Sequence, residues 1–129
     1  MVDASPGGHR ILLVDDDPAV RDTLGKVLRR AGYDVEDAGS GEAALEAIGR
    51  QCPEVLLSDL VIPPPNGEQL AALSREHCPD SILIFMSGYT EDELHDLDIK
   101  QVVFMPKPIE PQDLVDTIQR LLAGRDGAD

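Results

Sequence analysis

Positive charge is scarce in this sequence: eleven Lys and Arg stand against twenty-five Asp and Glu, a formal net charge of −14. The basic residues are also scattered, so a surface for nucleic acid or anionic lipid, which needs clustered Lys and Arg, is excluded. No apolar run approaches the roughly 20 residues of a membrane span. The opening Met1-Val2-Asp3-Ala4-Ser5-Pro6-Gly7-Gly8 lacks the apolar centre of a signal peptide. Both absences predict a cytoplasmic protein. There are two cysteines, Cys52 and Cys78, each before a proline and without Cys-x-x-Cys spacing. They suggest neither a metal knuckle nor a redox pair and are expected to be plain structural thiols. His9, His77 and His95 are isolated and are expected at the surface. What remains, 129 residues at 42% hydrophobic content, fits one domain with a real core.

The pattern within that domain is an alternation of strands and helices. Residues 1–9 are small, polar and rich in Gly and Pro, the composition of a loose tail. Ile11-Leu12-Leu13-Val14 is a continuous apolar run, as in a strand covered on both faces. Asp17-Pro18 then opens a helix whose apolar face is Val20, Leu24, Val27, Leu28 and Ala31, with Gly32 at its end. Tyr33 to Ala38 alternates in polarity and reads as an edge strand. Ser40 caps a helix carrying Ala44, Leu45 and Ile48. Val55 to Ser58 is a third strand, followed by Asp59 and the stiff Pro63-Pro64-Pro65. Asn66-Gly67-Glu68-Gln69 resembles a capping box for the next helix. Ser81 to Met86 is a fourth strand, and Thr90-Glu91-Asp92-Glu93 predicts a short helix with Leu94 and Leu97 as anchors. Gln101 to Met105 is a fifth strand and Pro111 to Ala123 a last helix, leaving 124–129 as a frayed tail. Five strands joined through helices by short connections predict an α/β, doubly wound parallel sheet. With the second strand at an edge, the order is 2-1-3-4-5, flavodoxin-like, and the first and third strands meet at the switch point where such sheets place their sites.

Asp15, Asp16 and Asp59 converge at that point. One strand-end acid is most often a helix cap, as Asp17 is, but three carboxylates together need protons or a cation. Oxygen ligands at an accessible strand end suit Mg²⁺. Ser87 ends the fourth strand and Lys107 follows the fifth, so a hydroxyl and an ammonium project from the same end of the sheet. Acids, metal, hydroxyl and lysine are the parts of a phosphoryl-transfer site, with Asp59 as a nucleophile that would form an acyl phosphate.

In these residues the sequence resembles the receiver domain of bacterial two-component response regulators. The carriers are Val14-Asp15-Asp16, Ser58-Asp59 with Ile62-Pro63 and Asn66-Gly67, Ser87-Gly88, and Lys107-Pro108, and the likeness covers residues 10–123. It implies that Asp59 is the phosphoacceptor, Asp16 a direct Mg²⁺ ligand, Asp15 an acid acting through water, and the Val61 carbonyl a further ligand. Ser87 would bind the phosphoryl group and Lys107 pair with it. Phe104 matches an aromatic that turns inward when the hydroxyl residue moves, which makes Ser87 and Phe104 the switch pair. The resemblance also implies a cis Lys107-Pro108 bond and a readout face of fourth helix, fifth strand and last helix. Its implied partners are a sensor histidine kinase or phosphotransfer protein and a downstream protein target, with homodimers forming on phosphorylation. It implies a module rather than a turnover enzyme. Val61 and Tyr89, flanking the approach of water, would shield the acyl phosphate. No output domain follows Ala123, so DNA binding by this chain is not expected, and a hybrid histidine kinase is a plausible parent.

Two other readings use the same residues. A haloacid-dehalogenase-like phosphatase would take Asp15 of Asp15-Asp16-Asp17 as its nucleophile, but it needs a further acidic strand end, and only Glu110, Asp113 and Asp116 follow Lys107, on a helix. A receiver-like binding module that takes no phosphate would work through protein contact alone.

Overall fold

The computed structural model describes residues 9–88 and 102–126. The described residues form strands β1 (Arg10–Val14), β2 (Asp34–Ala38), β3 (Val55–Asp59), β4 (Ile82–Ser87) and β5 (Val102–Pro106). Their helices are α1 (Pro18–Arg30), α2 (Gly41–Arg50), α3 (Gly67–His77) and α4 (Pro111–Asp126). Tyr89 and the short helix expected from Thr90 lie outside the described residues.

The five strands make one parallel sheet in the order β2-β1-β3-β4-β5. Alternation along each strand sends neighbouring side chains to opposite faces, and two apolar layers result. Leu12, Val14, Leu56, Leu83 and Phe85 face α2 and α3 with Ala44, Ile48, Leu70 and Ala71. Ile11, Leu13, Leu57, Ile84 and Met86 face α1 and α4 with Leu24, Leu28, Leu114, Ile118 and Leu122. Burial on both faces is why β1, β3 and β4 read as unbroken apolar runs. β2, whose Asp34 and Asp37 are exposed while Val35 and Ala38 are buried, lies at the edge.

Local chemistry sets the helix starts. The Asp17 side chain accepts from the Ala19 N–H at 2.9 Å and the Ser40 hydroxyl from the Ala43 N–H at 3.1 Å. Asn66 and Gln69 form a reciprocal capping box. Gly32, at a φ of 100°, turns the chain out of α1, a conformation open to glycine at no steric cost.

Two expectations need correction. The last helix continues past Ala123 through Gly124 and Arg125 to Asp126, and Arg125 pairs with Glu54 at 3.0 Å. That ion pair ties the helix end to the entry of β3, which the composition of the tail does not reveal. His9, expected as a plain surface residue, is half-buried beside Tyr33, with its Nε2 3.6 Å from Glu54.

The larger correction concerns the cysteines, which are not separate thiols: Cys52 and Cys78 form a disulfide. The cause is topological. Cys52 stands three residues before Val55 and Cys78 four before Ile82, and these two are registered partners on β3 and β4. Parallel pairing therefore brings the exits of α2 and α3 side by side. The matching Cys-Pro-acid triplets in front of the two strands were the available signal.

Candidate functional site

β1 and β3 are neighbours, with Val14 registered on Ser58, so the residues that follow them emerge together at the carboxyl end of the sheet. There Asp15, Asp16 and Asp59 each offer a carboxylate oxygen, and the three oxygens lie within 4.8 Å of one another. Asp15 is 1% exposed, Asp59 7%, and Asp16 is open to solvent. One Asp15 oxygen accepts the Asp17 N–H at 2.9 Å, while the other is buried without a partner among the described residues. Burial pushes the Asp15 carboxyl above its ordinary pKa, the hydrogen bond from Asp17 opposes the rise, and the charge of Asp59 adds to it. An orphaned buried oxygen among three converging carboxylates fits a small, hard divalent cation with oxygen ligands. The strand-end position that buries Asp15 is what makes its ionised form costly without a proton or a cation.

Asp59 is held from two sides. Its Oδ1 accepts the Val61 N–H at 3.2 Å and its Oδ2 accepts a hydrogen bond from Lys107 Nζ at 2.6 Å. Partial burial works against the Lys107 ammonium, but the Asp59 hydrogen bond and the charges of Asp59, Asp15 and Asp16 outweigh it, so the pKa is raised. The lysine therefore stays protonated within the acid cluster.

The route by which Lys107 arrives is visible in the register. Pro106 is paired with Ser87 at the end of β5 but has no N–H to give. The regular parallel-ladder bond of that pair is the Lys107 N–H donating to the Ser87 carbonyl at 2.9 Å, so the missing donor costs the ladder nothing and Lys107 is held to the end of β4. The Lys107-Pro108 bond is cis, as the resemblance implied, and Pro64-Pro65 is cis as well.

Ser87 is 3% exposed and lies one residue beyond Met86, the registered partner of Asp59. Phe104 is registered on Phe85 and packs half-buried against the layer facing α2 and α3. Because Phe85 and Ser87 are two apart on one strand, Ser87 and Phe104 belong to the same face of the sheet. Val61 leaves its side chain 61% exposed. Beside Lys107 an open, mostly apolar groove of about 570 Å³ runs between the start of α1 (Val20, Thr23, Leu24) and Pro108-Ile109.

The sequence pattern did not single out Arg21. Its guanidinium donates to the Asp15 carbonyl at 2.7 Å and lies 3.7 Å from an Asp37 carboxylate oxygen, pinning the exit of β1 to α1 and β2. The one hint is its position four residues after Asp17, on the turn above the acids.

Comparison with known proteins gives a consistent result. The family model described as response regulator receiver domain matches residues 11–119. The chain is 37% identical over 125 residues to the sensor kinase CckA of Brucella abortus, covering 93% of this chain and 13% of that protein. It is 35% identical over 115 residues to the response regulator receiver protein CpdR of the same organism, covering 88% of this chain and 96% of that one. Thus it spans a small part of the first relative and nearly all of the second. Among solved structures, a CheY-like response regulator receiver domain protein from Methanospirillum hungatei superposes with a TM-score of 0.85 at 28% identity, covering 94% of this chain and 98% of that one. The receiver domain of the hybrid histidine kinase CckA gives 0.76 at 32% identity, covering 88% and 98%.

Proposed function

Because the chain belongs to the response regulator receiver domain family, the phosphoacceptor modules of two-component signalling, we propose that Asp59 is the residue that takes the phosphoryl group. The observation that carries this is the geometry around Asp59: the carboxyl end of β3, a lysine at 2.6 Å and two further carboxylates beside it. The donor is a phosphohistidine on a sensor kinase or phosphotransfer protein. An Asp59 oxygen attacks phosphorus, the P–N bond breaks as the P–O bond forms, and the imidazole, already protonated on its other ring nitrogen, leaves neutral with the bonding pair on the freed nitrogen. The phosphatase reading would take Asp15 as nucleophile, but the lysine that would hold the phosphoryl oxygens is hydrogen-bonded to Asp59 and not to Asp15, which argues against that reading.

Asp15, Asp16, Asp59 and the Val61 carbonyl are the residues that would hold Mg²⁺. Bound there, the ion would neutralise the acids and the charge developing on the phosphoryl oxygens. Lys107 moves from the Asp59 carboxylate alone to the new phosphoryl oxygens, and Ser87 donates its hydroxyl to them. Drawing Ser87 toward the phosphoryl group opens space on the face it shares with Phe104. The aromatic ring follows, biasing β5 and α4 toward the state a downstream protein recognises. Val61, by its bulk and lack of a water-orienting group, shields the acyl phosphate from water, a role shared by Tyr89, which lies outside the described residues. The chain works as a switch in the cytoplasm rather than as a turnover enzyme, and phosphorylated copies pair through the readout face.

Peptide mapping after transfer from a phosphohistidine donor tests the assignment. The label is expected on Asp59, to depend on divalent metal, and to form more slowly in Asp15→Asn and Ser87→Ala variants. Label on Asp15, or transfer indifferent to EDTA, would overturn it.

A further inference from the structure

The loop that follows Asp59 is fastened at two points, and both fastenings use glycine. The Gly67 N–H donates to the Leu60 carbonyl at 3.0 Å, closing the loop's ends on each other, and a Cβ on Gly67 would sit 2.5 Å from that oxygen. Between those ends the three prolines lie against the first turn of α2. The Gly41 N–H donates to the Pro63 carbonyl at 3.0 Å. A Cβ on Gly41 would fall 1.9 Å from the Pro65 carbonyl oxygen and 2.7 Å from its nitrogen. Carbon cannot approach backbone that closely, so any side chain at position 41 must push the prolines off the helix.

Nothing else at position 41 calls for glycine. Its φ is not in the left-handed region, and Ser40 already caps the helix. The close approach is the feature that accounts for it. Val61 sits inside the fastened loop, two residues after Asp59 and two before Pro63, with its N–H on Asp59. Three prolines in a row have fixed φ angles and few conformations in which to absorb a shift. A displacement at Pro65 is therefore passed along toward Val61.

We propose that Gly41 is a positioning residue for the metal site: by admitting the Pro65 backbone against α2, it fixes the loop that carries the Val61 carbonyl. This rests on the reading that Asp15, Asp16, Asp59 and Val61 hold Mg²⁺. Gly41 touches no ligand itself and acts through the prolines. Gly49, in the same helix with nothing within 4 Å of where a Cβ would stand, is the matched control.

The test is the Mg²⁺ dissociation constant by isothermal titration calorimetry for the wild-type chain, Gly41→Ala and Gly49→Ala, each checked for native circular dichroism in EDTA. Gly41→Ala is expected to weaken Mg²⁺ binding about tenfold or more, the scale for groups that orient metal ligands, and Gly49→Ala to leave it unchanged. Wild-type affinity in a folded Gly41→Ala variant overturns the proposal. If Gly41→Ala does not fold, a Pro64→Gly, Pro65→Gly variant keeps Gly41 but frees the loop. It too is expected to bind Mg²⁺ more weakly, and undiminished affinity overturns the proposal. A wild-type chain that binds no Mg²⁺ overturns the metal reading itself, a result distinct from binding that is merely indifferent to position 41.

Discussion

Asp59 and Lys107 show how much a single contact can decide. A protonated amine 2.6 Å from the carboxylate partly satisfies it, yet Asp15 beside it keeps one buried oxygen without a partner among the described residues. In the proposed mechanism the lysine and a metal ion therefore serve different ends, one holding phosphoryl oxygens and the other relieving the acids. Replacing Lys107 by Met separates them. Phosphorylation by acetyl phosphate is expected to slow about a hundredfold, the scale for losing one donor to developing charge. Mg²⁺ affinity is expected to stay level or rise, because a competing cation is gone. A parallel fall in Mg²⁺ affinity would show that the lysine builds the metal site instead. At this scale the sequence was legible wherever a residue ends an apolar run, as Asp59 and Ser87 do. Arg21 was not legible, because it acts on a backbone carbonyl that no side-chain pattern encodes.

At the scale of elements, caps and alternation located most starts and ends, while contacts between elements stayed hidden. Glu36 on β2 accepts hydrogen bonds from both Arg50 of α2, at 2.8 Å, and Arg10 of β1, so one edge-strand acid joins three elements. Those two hydrogen bonds hold its pKa below the ordinary 4.5. A carboxylate depressed in the folded state stabilises the protein above its unfolded pKa, and that contribution is lost as pH falls through the folded value. Glu36→Gln is expected to cost about 1 kcal/mol or less at pH 7, given its partial exposure. Urea titrations should show the gap between variant and wild type closing as pH drops below about 4.5. A gap that is the same at pH 7 and pH 3 would contradict this. The disulfide is the stronger tie. It closes a separation of 26 residues, for which chain entropy predicts about 3–4 kcal/mol. Cys52→Ala with Cys78→Ala should lower unfolding stability by about that much, with phosphorylation rate unchanged, since the bridge lies before β3 and β4 and the acids lie after β1 and β3. An unchanged urea midpoint would remove the bridge from the stability account. Spacing along the chain could not show this pair, because the pairing is made by two parallel strands lying side by side.

For the whole molecule, sheet order follows from the contrast between unbroken apolar runs in β1, β3 and β4 and the alternating β2, and the order decides everything at the site. Only with β1 beside β3 do Asp15, Asp16 and Asp59 meet, and only with β4 and β5 following in turn do Ser87 and Lys107 join them. Fold and site were for that reason legible together. The fastening of the triproline loop on Gly41 was not, since a glycine before a helical pattern reads the same whether or not another backbone lies against it. The central claim is that this assembly exists to phosphorylate Asp59. Intact mass after incubation with acetyl phosphate and Mg²⁺ tests it most directly. One added phosphoryl group on the wild-type chain and none on Asp59→Asn is the predicted result; no addition to the wild type from acetyl phosphate or a cognate kinase, or equal addition to both proteins, would contradict it.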